Sequence, residues 1–500
     1  MAELALGLAC ARLGPAAAFI DGSRSQAAAC EENRLTRARQ VATTGRPEFA
    51  IAELLNFLQR RSGDVGAVAV VTNEDRTDWA LDPRAVPIDA HMAHAAYAFH
   101  SSPDASALVL VCEVHRARGW TAWRFANGQP PTPAGEDLGD FPLARIYGEL
   151  TEALGFQATR DEHLVEALAR AGRAARPDIA ALIELHDDGV RVAGSFADEV
   201  RRAARESESA AKDVAASVQR RLGECLAALL GKLAAISAPP ALCLSGGLFF
   251  NTYFTTVAAT CGAFARVHVP PHPGRNGTAV GAALLAAPSG RVPAVASPYL
   301  GPAYGDQAIK ETLENCKLSF DLQHDDRLID EVLRALSRGR LVGWFHGRLE
   351  WGPRALGHRS VLADPLATHT LDNLNGFLKR RPSHRTYGVS VPLSALHELF
   401  EGPPASPFMQ FDYRPRDPER FRTILPPGVE TLRVHTVDES EPRFLRLLEL
   451  WGDKRGTPVL VNTSFNGFHE PLVCSPRDAI RVFYGTGLDL LALENFLVRK

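Results

Sequence analysis

The chain has no stretch of eighteen consecutive apolar residues, no C-x-x-C pair among its eight cysteines, and no marked excess of charge of either sign. Each absence removes a class of function. Without a long apolar run there is no candidate membrane-spanning helix. Cysteines scattered at 10, 30, 112, 225, 243, 261, 316 and 474 space neither as a zinc ribbon nor as a disulfide framework, and read as reduced, buried small hydrophobes. A formal net charge of −3 with 23% charged residues gives no basic footprint for nucleic acid. The opening M-A-E-L-A-L-G-L-A-C lacks a basic leader start, and Glu3 interrupts any apolar core. A cytoplasmic enzyme is expected, with no membrane or nucleic-acid partner. No internal repeat of short period is evident.

At 500 residues the chain exceeds one ordinary core, so two domains of roughly 200 to 300 residues are expected. Residues 4–20, 65–72 and 106–112 are strand-like. Residues 142–154, 163–174 and 200–235 carry Ala, Leu and Arg at helical spacing, the last ending at Pro239-Pro240. A strand at 241–247 enters a Gly turn, and another follows at 265–269. This alternation predicts an α/β fold with a parallel or mixed sheet. The Pro-rich stretch 287–303 reads as the linker, dividing the chain into 1–290 and 291–500.

Arginine is abundant in one place. Residues 343–365, G-W-F-H-G-R-L-E-W-G-P-R-A-L-G-H-R-S-V-L-A-D-P, hold Arg348, Arg354 and Arg359 with almost no carboxylate. Planar guanidinium forks grip phosphate or carboxylate bidentately, and Gly347, Gly352 and Gly357 let backbone N–H groups approach a ligand. Trp344, Trp351 and Leu356 interleave the charges, which argues for a partly buried site rather than a solvated turn. Downstream, K-R-R-P-S-H-R places Lys379, Arg381 and Arg385 at near-alternating positions before a strand-like run Tyr387 to Val391, on one side of an extended chain. Residues 458–471 form an apolar strand that breaks into a loop bearing Asn462, Ser464 and Asn466, neutral groups suited to an amide or a nucleotide.

These three blocks resemble the O-carbamoyltransferases of nodulation and antibiotic tailoring, whose patterns are close to G-R-M-E-W-G-P-R-A-L-G-N-R-S-I-L, K-x-R-E-x-F-R-P-F-A-P and N-T-S-F-N-x-x-x-E-P. The second block is the thinnest, with Pro382 for Glu, His384 for Phe and Thr386 for Pro. The resemblance implies an N-terminal actin-like ATPase-type (ASKHA) domain fused to a C-terminal YrdC-like α/β domain. It further implies that the C-terminal half condenses carbamoyl phosphate with ATP, carried with Mg2+, to carbamoyl adenylate. The N-terminal half then passes the carbamoyl group to a hydroxyl or amine of a small molecule, in a natural-product pathway. Lys379, Arg381, Arg385, Arg354 and Arg359 would cradle the phosphates. Arg348, Asn462, Ser464 and Asn466 would orient carbamoyl or nucleotide.

In the N-terminal half the resemblance is incomplete. The family's H-D-S-A-A-A-L falls at Leu13 to Phe19, without His or Asp, while E-E-R-F-T-R-x-K is matched by Glu32 to Arg39, with Arg39 in place of Lys. The family's metal ligands fall at Ala90, His94, Cys112 and Arg275, so the family-type iron is expected to be absent and Arg275 to supply positive charge to an adenylate phosphate. His91, His94, Cys112 and His115 are an alternative set suited to zinc. Gly246, Gly247 and Asn251 match the nucleotide turn, joined by Gly277 in the loop after Arg275. The family's Lys before M-G-L-A-P-Y-G falls at Leu164. Three classes stay open: a carbamoyltransferase with a metal-independent transfer site, a related ATP-dependent acyl-adenylate ligase, or a non-catalytic scaffold subunit. A monomer or homodimer is expected.

Overall fold

A run of Ala, Leu and Gly opens the chain, and in the computed structural model it folds as a hairpin rather than one strand. The structure describes residues 4–10, 14–38, 45–72, 84–114, 119–237, 240–287 and 295–500. Arg39, His115 and the expected domain boundary at 290/291 lie outside the described residues. Strands β1 (Leu4–Ala9), β2 (Ala16–Asp21), β3 (Gln26–Glu31), β4 (Val65–Thr72) and β5 (Ala85–Asp89) form a sheet in the order β3-β2-β1-β4-β5. β1 is antiparallel to β2 and β2 to β3, while β1 runs parallel to β4 and β4 to β5. Every residue of β1 and β2 is buried, which explains apolar runs in place of alternation.

A second sheet repeats that plan. It contains β6 (Ser106–Cys112), β7 (Trp120–Ala126) and β8 (Thr132–Ala134); after a separate ribbon of β9 (Ile183–His186) and β10 (Gly189–Val192) come β11 (Ala241–Ser245) and β12 (Arg266–His268). The order β8-β7-β6-β11-β12 has the same sequence of antiparallel and parallel pairings as the first sheet. This duplicated unit is the topology of the actin-like ATPase fold. The helical pattern at 200–235 resolves into two helices, Phe196–Ala204 and Glu208–Ile236. Ser207 divides them, its Oγ accepting from Ala210 N at 3.0 Å as an N-cap. Helices Ala90–His100 and Thr278–Ala286 pack so closely that a Cβ on Gly281 would lie 1.8 Å from the Ala93 carbonyl oxygen. That approach sets His94 beside the segment bearing Arg275.

The C-terminal half is built on a mixed ten-stranded sheet. At its centre lie Val342–Phe345, Arg359–Ala363, Leu460–Ser464 and Gly388–Pro392, in that order. Register pairs Phe345 with Arg359, Ser360 with Ser464, and Gly388 with Asn462. The three sequence blocks are therefore neighbours across adjacent strands. Side chains alternate between two cores: Val342, Trp344, Leu362 and Leu460 join helices Asp325–Ser337 and Pro442–Arg455, whereas Phe345, Val361 and Val461 join a core that continues into the N-terminal half. Among the described residues no helix is long and apolar enough to cross a membrane.

Candidate functional site

The arginine-rich block is the loop of a hairpin, and a carboxylate organises it. Glu350 Oε1 accepts from Leu356 N, His358 N and Arg359 N at 2.8 to 3.0 Å. Gly352 adopts φ +119, and a Cβ there would lie 2.5 Å from the Pro271 carbonyl oxygen of the other half; here glycine serves chain-to-chain approach. Arg348 donates to Gly301 O at 3.0 Å, to Ala27 O at 2.9 Å and to Leu300 O at 2.6 Å. Arg359, fully buried, donates to His346 O at 2.7 Å and Gly347 O at 3.1 Å and lies over the Phe345 ring at 3.5 Å. Contrary to the expectation of three forks facing one anion, these two guanidinia are engaged by backbone carbonyls. Arg354 differs. Among the described residues its side chain makes a single hydrogen bond, to Phe250 O at 2.8 Å, and burial, then Arg433, pull it down to about 9.

The second block is not an extended strand bearing alternate cations. Lys379 ends a helical segment, Asn373–Lys379, Arg380 turns the chain with φ 45, and the strand begins at Gly388. The consequence is convergence with the third block: the Lys379 ammonium donates to Ser464 O and Asn466 O, and to the Ser464 Oγ and Asn466 Oδ1 side-chain oxygens. Ser464 Oγ donates to Asn466 Oδ1 at 2.9 Å, and Asn466 Nδ2 to Glu470 O at 2.6 Å. Asn462 donates to Ser390 Oγ at 2.9 Å, while its buried Oδ1 has no hydrogen-bond partner among the described residues. Arg381 donates to Asn375 Oδ1 and Thr386 O and stacks over Tyr387 at 3.8 Å. It borders an open bowl of about 580 Å³ shared with Asp372, Asn375 and Arg380. Arg385 makes no side-chain hydrogen bond among the described residues, and burial, then Arg381 and Arg433, pull it down to about 10.

Between the halves lies a buried charge cluster that sequence reasoning missed. Arg170 pairs with Glu166 at 3.0 Å and Asp412 at 2.9 Å, and Thr252 Oγ donates to Asp412 Oδ1 at 2.8 Å. Arg433 Nε lies 3.7 Å from Glu166. Burial raises Glu166, yet Arg433, Arg170 and Arg354 overcome it and hold the carboxyl down to about 2. Arg354 and Arg385 both feel Arg433 and Glu166. With Arg170 already flanked by two carboxylates, Arg354, Arg385 and Arg433 all feel Glu166, and positive charge is in excess over the nearby carboxylates Glu166 and Asp412. Glu166 and Arg170 did leave a signal, an i,i+4 pair on helix Glu162–Ala171; Asp412 and Arg433 left none.

In the N-terminal half a small cavity of about 20 Å³, room for about one water, is lined by Cys10, His94, Glu113, Arg275 and Thr278 among others. Gly246 N donates to Pro273 O at 2.7 Å and Gly247 N to Glu113 Oε2 at 2.8 Å. The His94 Nδ1 side faces Ser245 Oγ at 3.0 Å, and its Nε2 lies 3.7 Å from Glu113 Oε2; burial lowers His94 to about 4. The Arg275 guanidinium makes no hydrogen bond or ion pair among the described residues, and Gly277 closes its short helical turn. Asn251 departs from the expected nucleotide turn. Its Nδ2 donates to Tyr147 OH at 3.0 Å and Gln219 Oε1 at 2.7 Å, while Oδ1 caps helix Thr252–Thr260 through Tyr253 N.

The donors do not fit the family's metal set. Ala90 offers none, Cys112 is wholly buried with its thiol pushed up by burial, and Arg275 brings a cation. Among the described residues no three His, Cys, Asp or Glu side chains gather to hold an ion. Of the zinc alternative, His91 faces Thr121 Oγ1 at 2.8 Å and His115 lies outside the described residues. The block at Glu32 to Arg39 fastens the halves: Arg34 donates to Gly352 O at 3.0 Å, and Arg37 to Leu472 O and Pro471 O at 2.6 and 2.8 Å.

Family models described as carbamoyltransferase N-terminus and carbamoyltransferase C-terminus match residues 69–284 and 333–500. An uncharacterised protein of Synechocystis, sll1178, is 32% identical over 82% of this chain and 75% of its own length. Nodulation protein NolNO of Sinorhizobium fredii is 28% identical over 95% of this chain and 77% of its own. The 3'-hydroxymethylcephem-O-carbamoyltransferase of Amycolatopsis lactamdurans is 31% identical over 57% of this chain and 54% of its own.

Proposed function

The chain belongs to the carbamoyltransferase family, and from that premise we propose that it makes carbamoyl adenylate from carbamoyl phosphate and Mg2+-ATP and transfers the carbamoyl group to a small-molecule hydroxyl. A cephem carbamoyltransferase among the relatives supports an acceptor of that kind in natural-product tailoring, with an amine as the variant acceptor. Division near 290 assigns adenylation to the C-terminal half and transfer to the N-terminal half, in a cytoplasmic monomer or homodimer.

One observation carries the reading: Arg354 and Arg385 are half-buried cations without carboxylates of their own, beside Arg433. An uncompensated buried charge is costly, and a polyanionic substrate removes that cost on binding. Carbamoyl phosphate and ATP supply such charge, and fixed guanidinia stabilise what develops as the phosphates depart. Lys379, with Ser464 and Asn466, and the unpartnered Asn462 Oδ1 stand on the adjacent strand as candidates to orient the carbamoyl amide.

Purified protein given ATP and carbamoyl phosphate is expected to release inorganic phosphate, as water cleaves the carbamoyl–phosphate bond, and pyrophosphate as the carbamate joins AMP; AMP follows when the carbamoyl group is passed on. Arg354→Ala and Arg385→Ala are each expected to lower pyrophosphate release about 10²-fold. Release that needs another acid in place of carbamoyl phosphate identifies the acyl-adenylate ligase, and none with any acid identifies the scaffold.

A further inference from the structure

The open bowl of about 580 Å³ on the segment after Thr370 gathers donors that the fold leaves unused. Asn375 is only 7% exposed, and its Oδ1 accepts from Arg381 Nε at 3.1 Å and from the Tyr387 hydroxyl at 2.6 Å. Its Nδ2 has no hydrogen-bond partner among the described residues. A buried amide donor in that condition costs free energy until an acceptor meets it. The Arg380 side chain makes no hydrogen bond or ion pair among the described residues, and its φ of 45 places it on a left-handed turn at the bowl's wall. Against Arg380 and Arg381 the lining has one carboxylate, Asp372, so the bowl is cationic. Pro382, where the family pattern has Glu, adds no acid. Arg381 also borders the arginine cluster between the halves, since Arg433 acts on it and it acts on Arg385. Bowl and cluster therefore lie on either side of one guanidinium.

Resting on the carbamoyl-transfer reading, we propose that the bowl is the subsite for the pyrophosphate end of Mg2+-ATP: the phosphate chain straddles Arg381, its inner end among Arg354, Arg385 and Arg433 and its outer end on Arg380 above Asn375. A chain of two or three phosphates matches donors spread over both sides of a guanidinium, whereas a single phosphate meets one side only. Asp372 faces the Mg2+ that the chain carries, as one carboxylate beside phosphate oxygens commonly does. When a carbamate oxygen bonds to the α-phosphorus, the bond from that phosphorus to the α,β-bridging oxygen breaks, and its electron pair leaves with pyrophosphate. Arg380 and Arg381 take up the charge of that leaving group. The open side of the bowl then lets Mg2+-pyrophosphate depart.

The test reads binding before chemistry. Calorimetric titration of the full chain with Mg2+-pyrophosphate is expected to show a site at which inorganic phosphate binds about 10-fold more weakly. Arg380→Asn, a residue that adopts the left-handed turn, is expected to weaken pyrophosphate about 5- to 10-fold, and Arg380→Lys to keep most of the affinity. Pro382→Glu, which puts a carboxylate on the wall, is expected to weaken it by about as much. In Asp372→Asn the affinity for Mg2+-pyrophosphate falls while that for pyrophosphate in EDTA rises, a crossing that damage to the fold does not produce. During turnover, Arg380→Asn and Pro382→Glu are expected to raise the KM for ATP about 5- to 10-fold and to leave the KM for carbamoyl phosphate unchanged. Pyrophosphate affinity unchanged in both variants, equal rises in the two KM values, or inorganic phosphate binding as tightly as pyrophosphate overturns the proposal. A wild type that binds pyrophosphate through Arg380 yet releases none from ATP and carbamoyl phosphate overturns the carbamoyl-transfer reading instead, and leaves the bowl as a polyphosphate site.

Discussion

Arg348 and Arg359 share with Arg354 and Arg385 a residue type and a stretch of sequence, yet the fold treats the two pairs in opposite ways. The first pair donates chiefly to backbone carbonyls, although Arg359 keeps one buried nitrogen, Nη2, without a partner among the described residues. The second is half-buried among other arginines, with one carbonyl contact between them and Glu166 shared at a distance. A guanidinium ringed by carbonyls organises backbone, whereas one left among like charges is a receptor for an anion. Residue type is common to both, so only the partners separate scaffold from site.

The sharpest way to break this contrast is to remove one member of each pair. Arg359→Met leaves at least two buried carbonyls without donors and removes a cation stacked on Phe345; denaturant unfolding is expected to show a loss of about 3–5 kcal/mol. Arg354→Ala loses one hydrogen bond and relieves repulsion from Arg433, so its stability is expected within about 1 kcal/mol of the parent. Activity runs the other way, with Arg354→Ala folded and inactive. Similar unfolding midpoints for the two variants would end the distinction.

Acid probes the cluster joining the halves. Glu166 is held down to about 2 from an ordinary 4.5, so its contribution is fully present above pH 4.5 and is lost as pH falls toward 2. The shift corresponds to roughly 3 kcal/mol. Stability measured by urea at steps of pH is expected to fall through that window in the parent and to fall less in Glu166→Gln, which enters it already destabilised. An identical acid limb in both proteins would show that Arg170, Arg433 and Arg354 do not hold the carboxyl.

Much of the scaffold was legible because burial writes itself into apolar runs. β4 and β6 fall on 65–72 and 106–112 as expected, and helices Leu143–Ala153 and Glu162–Ala171 fall within about three residues of the sequence reading. The break at Ser207 was hidden because Ala-rich helical spacing continues across the cap. Lys379 was misplaced on an extended chain because period-2 spacing in a short basic run is a surface pattern that a helix end also produces. The cradle was legible only as a list of cations. Which of them face carbonyls depends on Gly301, Ala27 and Phe250, remote positions whose side chains take no part. Glu113 was overlooked beside Cys112 because the comparison with the family's ligands fixed on one strand position, while the residue after it turns its carboxylate toward Gly247 and His94.

The smallest effect asks whether the unpaired arginines respond to an anion in the absence of chemistry. Inorganic pyrophosphate binding only the folded state stabilises by RT ln(1 + [L]/Kd), about 1.4 kcal/mol when its concentration is ten times Kd. A rise in melting temperature of a few degrees is therefore expected for the parent. Because Arg354 and Arg385 each repel Arg433, removing one of them should both weaken the response and slightly raise the starting midpoint, whereas Arg348→Lys should lower the midpoint and leave the response intact. That crossed pattern separates an anion receptor from general salt stabilisation, which would move all the proteins alike; a parent that ignores pyrophosphate while Arg348→Lys behaves normally would remove the physical ground for placing phosphates between the halves.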